Sequence, residues 1–139
     1  MPLISRLCSL LDLVAAPTVA HAHCDLPCGI YDPAQARIEA ESVKACMEKF
    51  NASDDAVFRE RAVTIKEQRA DLVKHHLWVL WTDYFKPEHL DRFPELHEVF
   101  WKTTKAAGET KKTNDVAVAS GLLDGIAEID RIFWETKKV

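Results

Sequence analysis

The chain has 139 residues, of which 47% are hydrophobic and 29% are charged, and its formal net charge is −4. This length is typical of one domain, and the negative charge gives no electrostatic basis for binding nucleic acid or an acidic membrane surface. No apolar run reaches the roughly 18–20 residues that a membrane span needs. With only 4 Gly and 6 Pro and no persistent strand-like alternation, the sequence favours an all-α fold.

Residues 1–22, MPLISRLCSLLDLVAAPTVAHA, are interpreted as a leader or propeptide that is cleaved off. A loose apolar stretch runs over 7–16, and the AHA at 20–22 fits the small-x-small pattern of a cleavage site. A secretory signal peptide is one interpretation, although Asp12 interrupts the apolar stretch and the basic segment before it is weak. Under either interpretation, cleavage after the AHA motif makes His23 the first residue of a mature chain that spans 23–139.

Four helices are predicted after the leader and the segment that follows it. The first begins at Asp32-Pro33 and runs to about Phe50, and the second starts after a turn at 51–54 and ends near Phe85. The third follows Pro94, a solvated loop is expected over 107–112, and residues 113–115 cap the last helix. Apolar residues three or four apart define the expected buried faces: Ala36, Ala40, Val43, Met47 and Phe50; Phe58, Ala62, Ile65, Leu72, Val73, Leu77 and Leu80; Leu96, Val99 and Phe100; Leu122, Ile126, Ile129 and Phe133.

Four amphipathic helices joined by short connections are expected to pack as an up-down-up-down four-helix bundle. Gly121 and Gly125 in the last helix mark either a close approach between helices or tolerated weak points. Bundles of this kind often hold di-iron centres built on Glu-x-x-His motifs. No Glu in this chain has a His three residues further on, so a di-iron centre is disfavoured.

Two of the four cysteines call for a chemical explanation. Cys8 lies in the leader, and Cys46 lies on an apolar helix face where a small buried side chain is expected. Cys24 and Cys28 lie four residues apart beside His23, and the residues alone leave a metal site and a disulfide about equally open. A Cys–His nucleophile is a formal alternative, but two thiols at this spacing suit metal or redox chemistry better.

A chain that begins at His23 presents several metal donors within six residues. Its terminal amine, with a pKa of about 8, is available as a neutral nitrogen donor. The amide nitrogen of Cys24 lies one five-membered chelate ring away, and the thiolates of Cys24 and Cys28 complete a plane if the chain turns back at Leu26-Pro27. Such a planar N2S2 set suits nickel(II) or copper(II) rather than tetrahedral zinc, and the His23 imidazole can reach an axial position.

The segment HCDLPCGIYDPAQARIEAESVKA at residues 23–45 closely resembles the N-terminus of mature nickel-containing superoxide dismutases. KEQRADLVKHHLWVLWTDYFKPEHL at 66–90 and the closing IFWETKK are also similar to that family. The resemblance implies a superoxide dismutase (an antioxidant oxidoreductase) that converts superoxide to O2 and hydrogen peroxide by Ni(III)/Ni(II) cycling, with one nickel per subunit. It also implies a four-helix bundle with an N-terminal metal-binding hook, assembled as a homohexamer.

The resemblance further implies a role for each matching residue. His23, Cys24 and Cys28 would be the metal ligands, with His23 providing the amine and an axial imidazole. Tyr31 would stand over the open axial face, and Tyr84 matches a second tyrosine near the site. Glu39 and Arg69 match the residues that hold the axial imidazole by hydrogen bonds.

The uncleaved chain has no free amine at His23 and is expected to be an inactive precursor. The family commonly carries a short leader that a dedicated peptidase removes, and the interrupted apolar stretch fits processing in the cytoplasm better than export. A carrier that binds nickel or copper through the same chelate without catalysis is the main alternative function, but a carrier has no need of Tyr31, Glu39 and Arg69. A helical interaction module closed by a Cys24–Cys28 disulfide is the third interpretation.

Overall fold

A computed structural model describes residues 29–138 of the chain, and these residues form an all-α fold. The elements are α1 (Ala34–Asn51), α2 (Ala56–Val79) with a π-helical turn (Leu80–Tyr84) at its end, a short α3 (Pro87–Arg92), α4 (Leu96–Lys112) and α5 (Val116–Thr136). The prediction of an all-α fold is confirmed. The predicted leader and the segment from His23 to Cys28 lie outside the described residues.

The four long helices pack in a cyclic order, α1 against α2, α2 against α4, α4 against α5, and α5 against α1. Short connections make successive long helices antiparallel. Asn51 at the end of α1 donates a 2.9 Å hydrogen bond to the carbonyl of Asn114, just before α5 begins. This is the predicted up-down-up-down bundle. The start of α1, the end of α2, α3, the start of α4 and the end of α5 therefore share one end, which we call the proximal end.

The buried face of the last helix matches the sequence prediction, and so does that of the first helix except at Phe50, which is only partly buried. Ala36, Ala40, Val43 and Met47 of α1 are fully buried, and so are the four predicted residues of α5: Leu122, Ile126, Ile129 and Phe133. The predicted start of the last helix is confirmed, because Asp115 caps it by accepting a hydrogen bond from the amide of Ala117 at 2.9 Å. The first helix begins at Ala34, slightly later than predicted, with Pro33 at the N-cap position and Asp32 accepting a hydrogen bond from the Ala34 amide at 2.8 Å.

The predicted buried face of the second helix is partly wrong. Phe58 and Leu72 are 43% and 36% exposed, whereas Lys66 and Ala70 lie in the interior. Ala70 clusters with Val43 and Met47 of α1, so a small side chain fills this part of the interior. Lys66 packs its stem into the bundle and donates hydrogen bonds to the carbonyl of Thr113 and, at 2.9 Å, to Oδ1 of Asn114. Burial lowers the pKa of its ammonium group.

The predicted solvated loop at 107–112 is also wrong, because α4 continues without a break to Lys112. Ala107 and Thr110 are fully buried, and the Thr110 hydroxyl donates to the Ala107 carbonyl at 2.7 Å. Gly108 lowers the helix propensity only locally, and the burial of its neighbours outweighs that cost. The polar composition of residues 107–112 predicts a loop, but the burial of Ala107 and Thr110 in the bundle keeps this segment helical.

Gly125 marks a close approach between α5 and α4. A Cβ atom at this position would lie 2.5 Å from Oγ1 of Thr103, a residue that is itself buried and that donates from Oγ1 to the carbonyl of Val99. A Cβ at Gly121 meets no atom within 4 Å. Of the two alternatives considered for these glycines, close approach holds for Gly125.

Replacement of Gly125 by Ala is expected to destabilise the bundle by about 1–3 kcal/mol, because the added methyl group overpacks the contact with Thr103. Gly121→Ala is the matched control on the same helix, and it is expected to stabilise the protein by up to about 1 kcal/mol through helix propensity. Urea unfolding followed by circular dichroism measures both changes. Equal stabilisation by the two substitutions would contradict the close approach.

Candidate active site

A cavity of about 300 Å3 opens at the proximal end of the bundle, where the chain enters α1. It lies next to the point at which the predicted hook would join the described residues. Gly29, at this junction, has a φ of 73°, a left-handed conformation that glycine adopts without steric cost. The cavity is lined by Gly29, Tyr31, Asp83, Tyr84, Lys86, His89 and Lys137.

The structure brings the two predicted tyrosines together in this cavity. The ring centroids of Tyr31 and Tyr84 are 5.7 Å apart, with the planes tilted by 54°. Tyr84 also packs against Phe133 at 4.4 Å and stacks on His89 at 5.6 Å. Its hydroxyl oxygen lies 2.6 Å from Oγ1 of Thr136, the last residue of α5. The Tyr84 ring is therefore held on several sides.

A π-helical turn places Tyr84 at the cavity. The amide of Phe85 donates to the carbonyl of Leu80, five residues earlier, at 3.0 Å. One extra residue in a helical turn rotates the following side chains by about 100° relative to an uninterrupted α-helix. The turn thus allows both Tyr84 and Phe85 to pack at the proximal end: Tyr84 against Phe133 and Phe85 against Phe100, at 5.3 Å.

Positive charge predominates in the lining of the cavity. Lys86 and Lys137 are opposed by one carboxylate, that of Asp83. The Lys137 ammonium lies 4.9 Å from the centroid of the Tyr84 ring, within range of a cation–π contact. Burial lowers the pKa of His89, whose Nδ1 accepts a hydrogen bond from the amide of Lys86 at 3.2 Å. The site favours small anions on electrostatic grounds.

The other two predicted residues form a pair between α1 and α2. Nη1 of Arg69 lies 3.1 Å and 3.4 Å from the two carboxylate oxygens of Glu39. The Glu39 side chain is only 16% exposed, whereas that of Arg69 is 43% exposed. One guanidinium nitrogen contacts both oxygens, so the rest of the fork remains available for another acceptor.

The three predicted metal ligands, His23, Cys24 and Cys28, lie outside the described residues. Within residues 29–138, no group of three or more His, Cys, Asp or Glu side chains is arranged to hold a metal ion. The same part of the chain has no helix that is both long and apolar enough to cross a membrane.

Five side chains at the cavity or in contact with its lining were not identified as site residues from the sequence: Asp83, Lys86, His89, Thr136 and Lys137. Lys86 carries a weak signal in the sequence, since it is two residues from the predicted site residue Tyr84. Thr136 has none, because it is 52 residues from Tyr84 and only the packing of α5 against the end of α2 brings them together.

Comparison with known proteins identifies the family. The sequence profile described as nickel-containing superoxide dismutase matches residues 18–137. The superoxide dismutase (Ni) of Streptomyces coelicolor is 58% identical over 130 residues, which cover 93% of this chain and 99% of that protein. The chain belongs to the nickel-containing superoxide dismutase family. Membership confirms the predicted enzyme activity on superoxide and the predicted nickel cofactor, and it gives no support to the carrier alternative.

Solved structures agree with this assignment. A native nickel superoxide dismutase has a TM-score of 0.82 and 61% identity, covering 84% of this chain and 100% of the solved chain. One variant of such an enzyme replaces a histidine at its first position by alanine (TM-score 0.77, 59% identity, 78% and 100% coverage). Another replaces a tyrosine at its ninth position by phenylalanine (TM-score 0.82, 60% identity, 84% and 100% coverage).

Proposed function

We propose that this chain is the precursor of a nickel superoxide dismutase whose active centre forms at His23 when residues 1–22 are removed. The main support is the spacing of two residues in the solved relatives, a histidine at position one and a tyrosine at position nine. His23 and Tyr31 have the same spacing here. The native solved chain covers 84% of the 139 residues, about 117, which is the length of 23–139.

The donor set available after cleavage fits nickel. His23 would supply its α-amine and imidazole, Cys24 its amide nitrogen and thiolate, and Cys28 a second thiolate. Two nitrogen donors and two thiolates would form a donor set that suits nickel(II). Bound nickel, one ion per subunit, would supply the one-electron exchange with superoxide, alternating between Ni(III) and Ni(II).

The described residues supply the surroundings for this chemistry. Lys86 and Lys137 attract the superoxide anion to the proximal end by charge. Tyr31 and Tyr84, 5.7 Å apart, form an aromatic wall that limits the size of what enters. We assign to both tyrosines the role of ordering water and small oxygen species next to the metal centre.

Glu39 and Arg69 are assigned the role of orienting the His23 imidazole. Their contact is direct, and Glu39 is held largely away from water. A carboxylate that accepts the second ring N–H of a histidine ligand fixes the orientation of the ring and raises its basicity. Arg69 in turn holds the Glu39 carboxylate in place.

Glu39→Gln is expected to lower the superoxide turnover of the nickel-loaded protein by roughly 10- to 100-fold, the usual cost of losing a partner of a metal ligand. The matched control is Glu41→Gln on the same helix, which breaks an exposed ion pair with Arg37 (2.9 Å) and is expected to leave turnover unchanged. Pulse radiolysis measures turnover, and equal losses in the two variants would contradict the assignment.

The assembly is proposed to be a homohexamer. Three tryptophans are about half exposed, Trp78 at 54%, Trp101 at 58% and Trp134 at 47%. Exposed aromatic surface of this extent is typical of protein contacts, and Trp78 and Trp101 line one common groove. Native mass spectrometry of the mature chain should give six copies with six nickel ions.

Processing and activity are proposed to take place in the cytoplasm, by a dedicated peptidase. The apolar stretch of the leader is interrupted by Asp12 and ends at Pro17, which supports this location over export. Cell fractionation with N-terminal sequencing tests it, and mature protein found outside the membrane would reverse the assignment.

The function itself is tested on protein that mass spectrometry shows to begin at His23. The expected result is one nickel per chain by elemental analysis and nickel-dependent superoxide decay at a rate near the diffusional range. Zinc-loaded protein is the control and is expected to be inactive. Stoichiometric nickel without superoxide decay would indicate a carrier instead.

A further inference from the structure

The last turn of α5 carries a buried hydroxyl group that contacts Tyr84. Thr136 is 8% exposed, and its Oγ1 lies 2.6 Å from the Tyr84 hydroxyl oxygen. The same Oγ1 donates a hydrogen bond to the carbonyl of Phe133, also at 2.6 Å. Oγ1 of Thr136 thus contacts the Tyr84 hydroxyl oxygen and the Phe133 carbonyl oxygen, and the carbonyl oxygen can only accept a hydrogen bond.

The direction of both hydrogen bonds follows from the number of protons. A threonine hydroxyl has one hydrogen, and that of Thr136 is given to the Phe133 carbonyl. Its oxygen can therefore only accept from Tyr84, so the single hydroxyl hydrogen of Tyr84 points at Thr136. Toward any molecule in the cavity, the Tyr84 oxygen can therefore only accept a hydrogen bond.

The surrounding rings hold this arrangement. Phe133 packs on Tyr84 at 4.4 Å, Phe85 at 5.0 Å and His89 at 5.6 Å. Phe133 therefore supplies both the ring that packs on Tyr84 and the carbonyl that orients Thr136. Removal of the Thr136 hydroxyl is expected to free the Tyr84 hydrogen while the ring keeps its place.

We propose that Thr136 is a positioning residue of the dismutase, which makes Tyr84 a hydrogen-bond acceptor in the cavity. This inference rests on the proposed function, in which Tyr84 belongs to the active site. Superoxide has only acceptor oxygens, so it receives no hydrogen bond from Tyr84. Water and hydrogen peroxide have O–H donors and bind there. A water that donates one hydrogen to Tyr84 keeps its other hydrogen for the superoxide.

The orientation is tested by NMR with tyrosine labelled with 13C at Cζ, whose shift reports hydrogen bonding of the phenol. The chain has only 2 Tyr, so Tyr31→Phe leaves Tyr84 as the sole signal. In nickel-loaded, dithionite-reduced protein that begins at His23, Thr136→Val is expected to move this resonance. Thr136→Ser, which keeps the hydroxyl, is expected to leave it in place. An unmoved resonance in Thr136→Val would overturn the proposed hydrogen-bond direction.

The effect on anions is tested by azide inhibition of superoxide decay, with Tyr31 intact. In Thr136→Val the freed Tyr84 hydrogen can be donated to an anion, so the azide inhibition constant is expected to fall about three- to tenfold. Thr136→Ser should restore the original value, and Tyr84→Phe combined with Thr136→Val should abolish the gain. An unchanged constant in Thr136→Val would overturn the positioning role. Absence of nickel-dependent turnover in the parent protein would count against the proposed function, while the NMR comparison would still test the hydrogen bond between Thr136 and Tyr84.

Discussion

The chain that keeps its leader is expected to turn over superoxide more than about 100-fold more slowly than the chain that begins at His23. The peptide bond between Ala22 and His23 removes the α-amine, which is one of the four donors proposed to hold the nickel. Loss of a mere partner of a ligand already costs 10- to 100-fold, so loss of the donor itself should cost more. The measurement is nickel content and superoxide decay after aerobic loading of both forms.

A chain that begins at Ala22 is the matched control for this comparison. It has a free amine, but the amine is displaced by one residue from the Cys24 thiolate. It is expected to be as inactive as the full chain, which separates the position of the amine from simple removal of the leader. The described helices span 34–136 and include none of the removed residues, so the cooperative thermal unfolding of the bundle should have the same midpoint in all three forms. Equal turnover by the full chain and the chain that begins at His23 would contradict an active centre that forms only when residues 1–22 are removed.

The fold was predictable where one helix face is uniformly apolar. In α5, Leu122, Ile126, Ile129 and Phe133 repeat with helical spacing and are all buried. In α2 the same reasoning failed at Phe58 and Leu72, which are exposed, whereas Ala62, Ala70 and Lys66 are buried. Periodicity identifies the apolar positions of a helix, but packing against the neighbouring helices decides which of these positions are buried.

In the candidate site, the residues that lie close together in the sequence could be predicted, whereas contacts between distant residues could not be predicted from the residues alone. The proposed ligands His23, Cys24 and Cys28 could be named from the sequence because six residues contain the whole chelate, and they stay a prediction because they lie outside the described residues. Glu39 and Arg69, 30 residues apart, were assigned only through family resemblance, and the structure shows that they do make contact. Thr136 carries no signal in the sequence, since its role depends on where α5 ends relative to the π-helical turn.

Replacement of either hook cysteine is expected to have an effect as large as retention of the leader. Cys24→Ser or Cys28→Ser removes one thiolate, and an alcohol oxygen is a poor substitute for a soft donor to nickel. Nickel content is expected to fall to background, and superoxide decay to drop by more than about 100-fold. Elemental analysis and the sulfur-to-nickel charge-transfer absorption of the loaded protein measure the loss of metal directly.

Cys46→Ser is the matched control, because Cys46 is the free cysteine of residues 29–138. Burial raises the pKa of its thiol, against the opposing charges of Lys49, Arg69 and Lys66, so less thiolate is present at neutral pH and the group is a weak ligand and nucleophile. Nickel content and turnover are expected to be unchanged. The same set of variants tests the disulfide alternative. If Cys24 and Cys28 only closed a structural loop, mild reduction of the unmodified protein would lower its activity as much as either substitution does, whereas a thiolate ligand set predicts that reduction before loading increases nickel uptake.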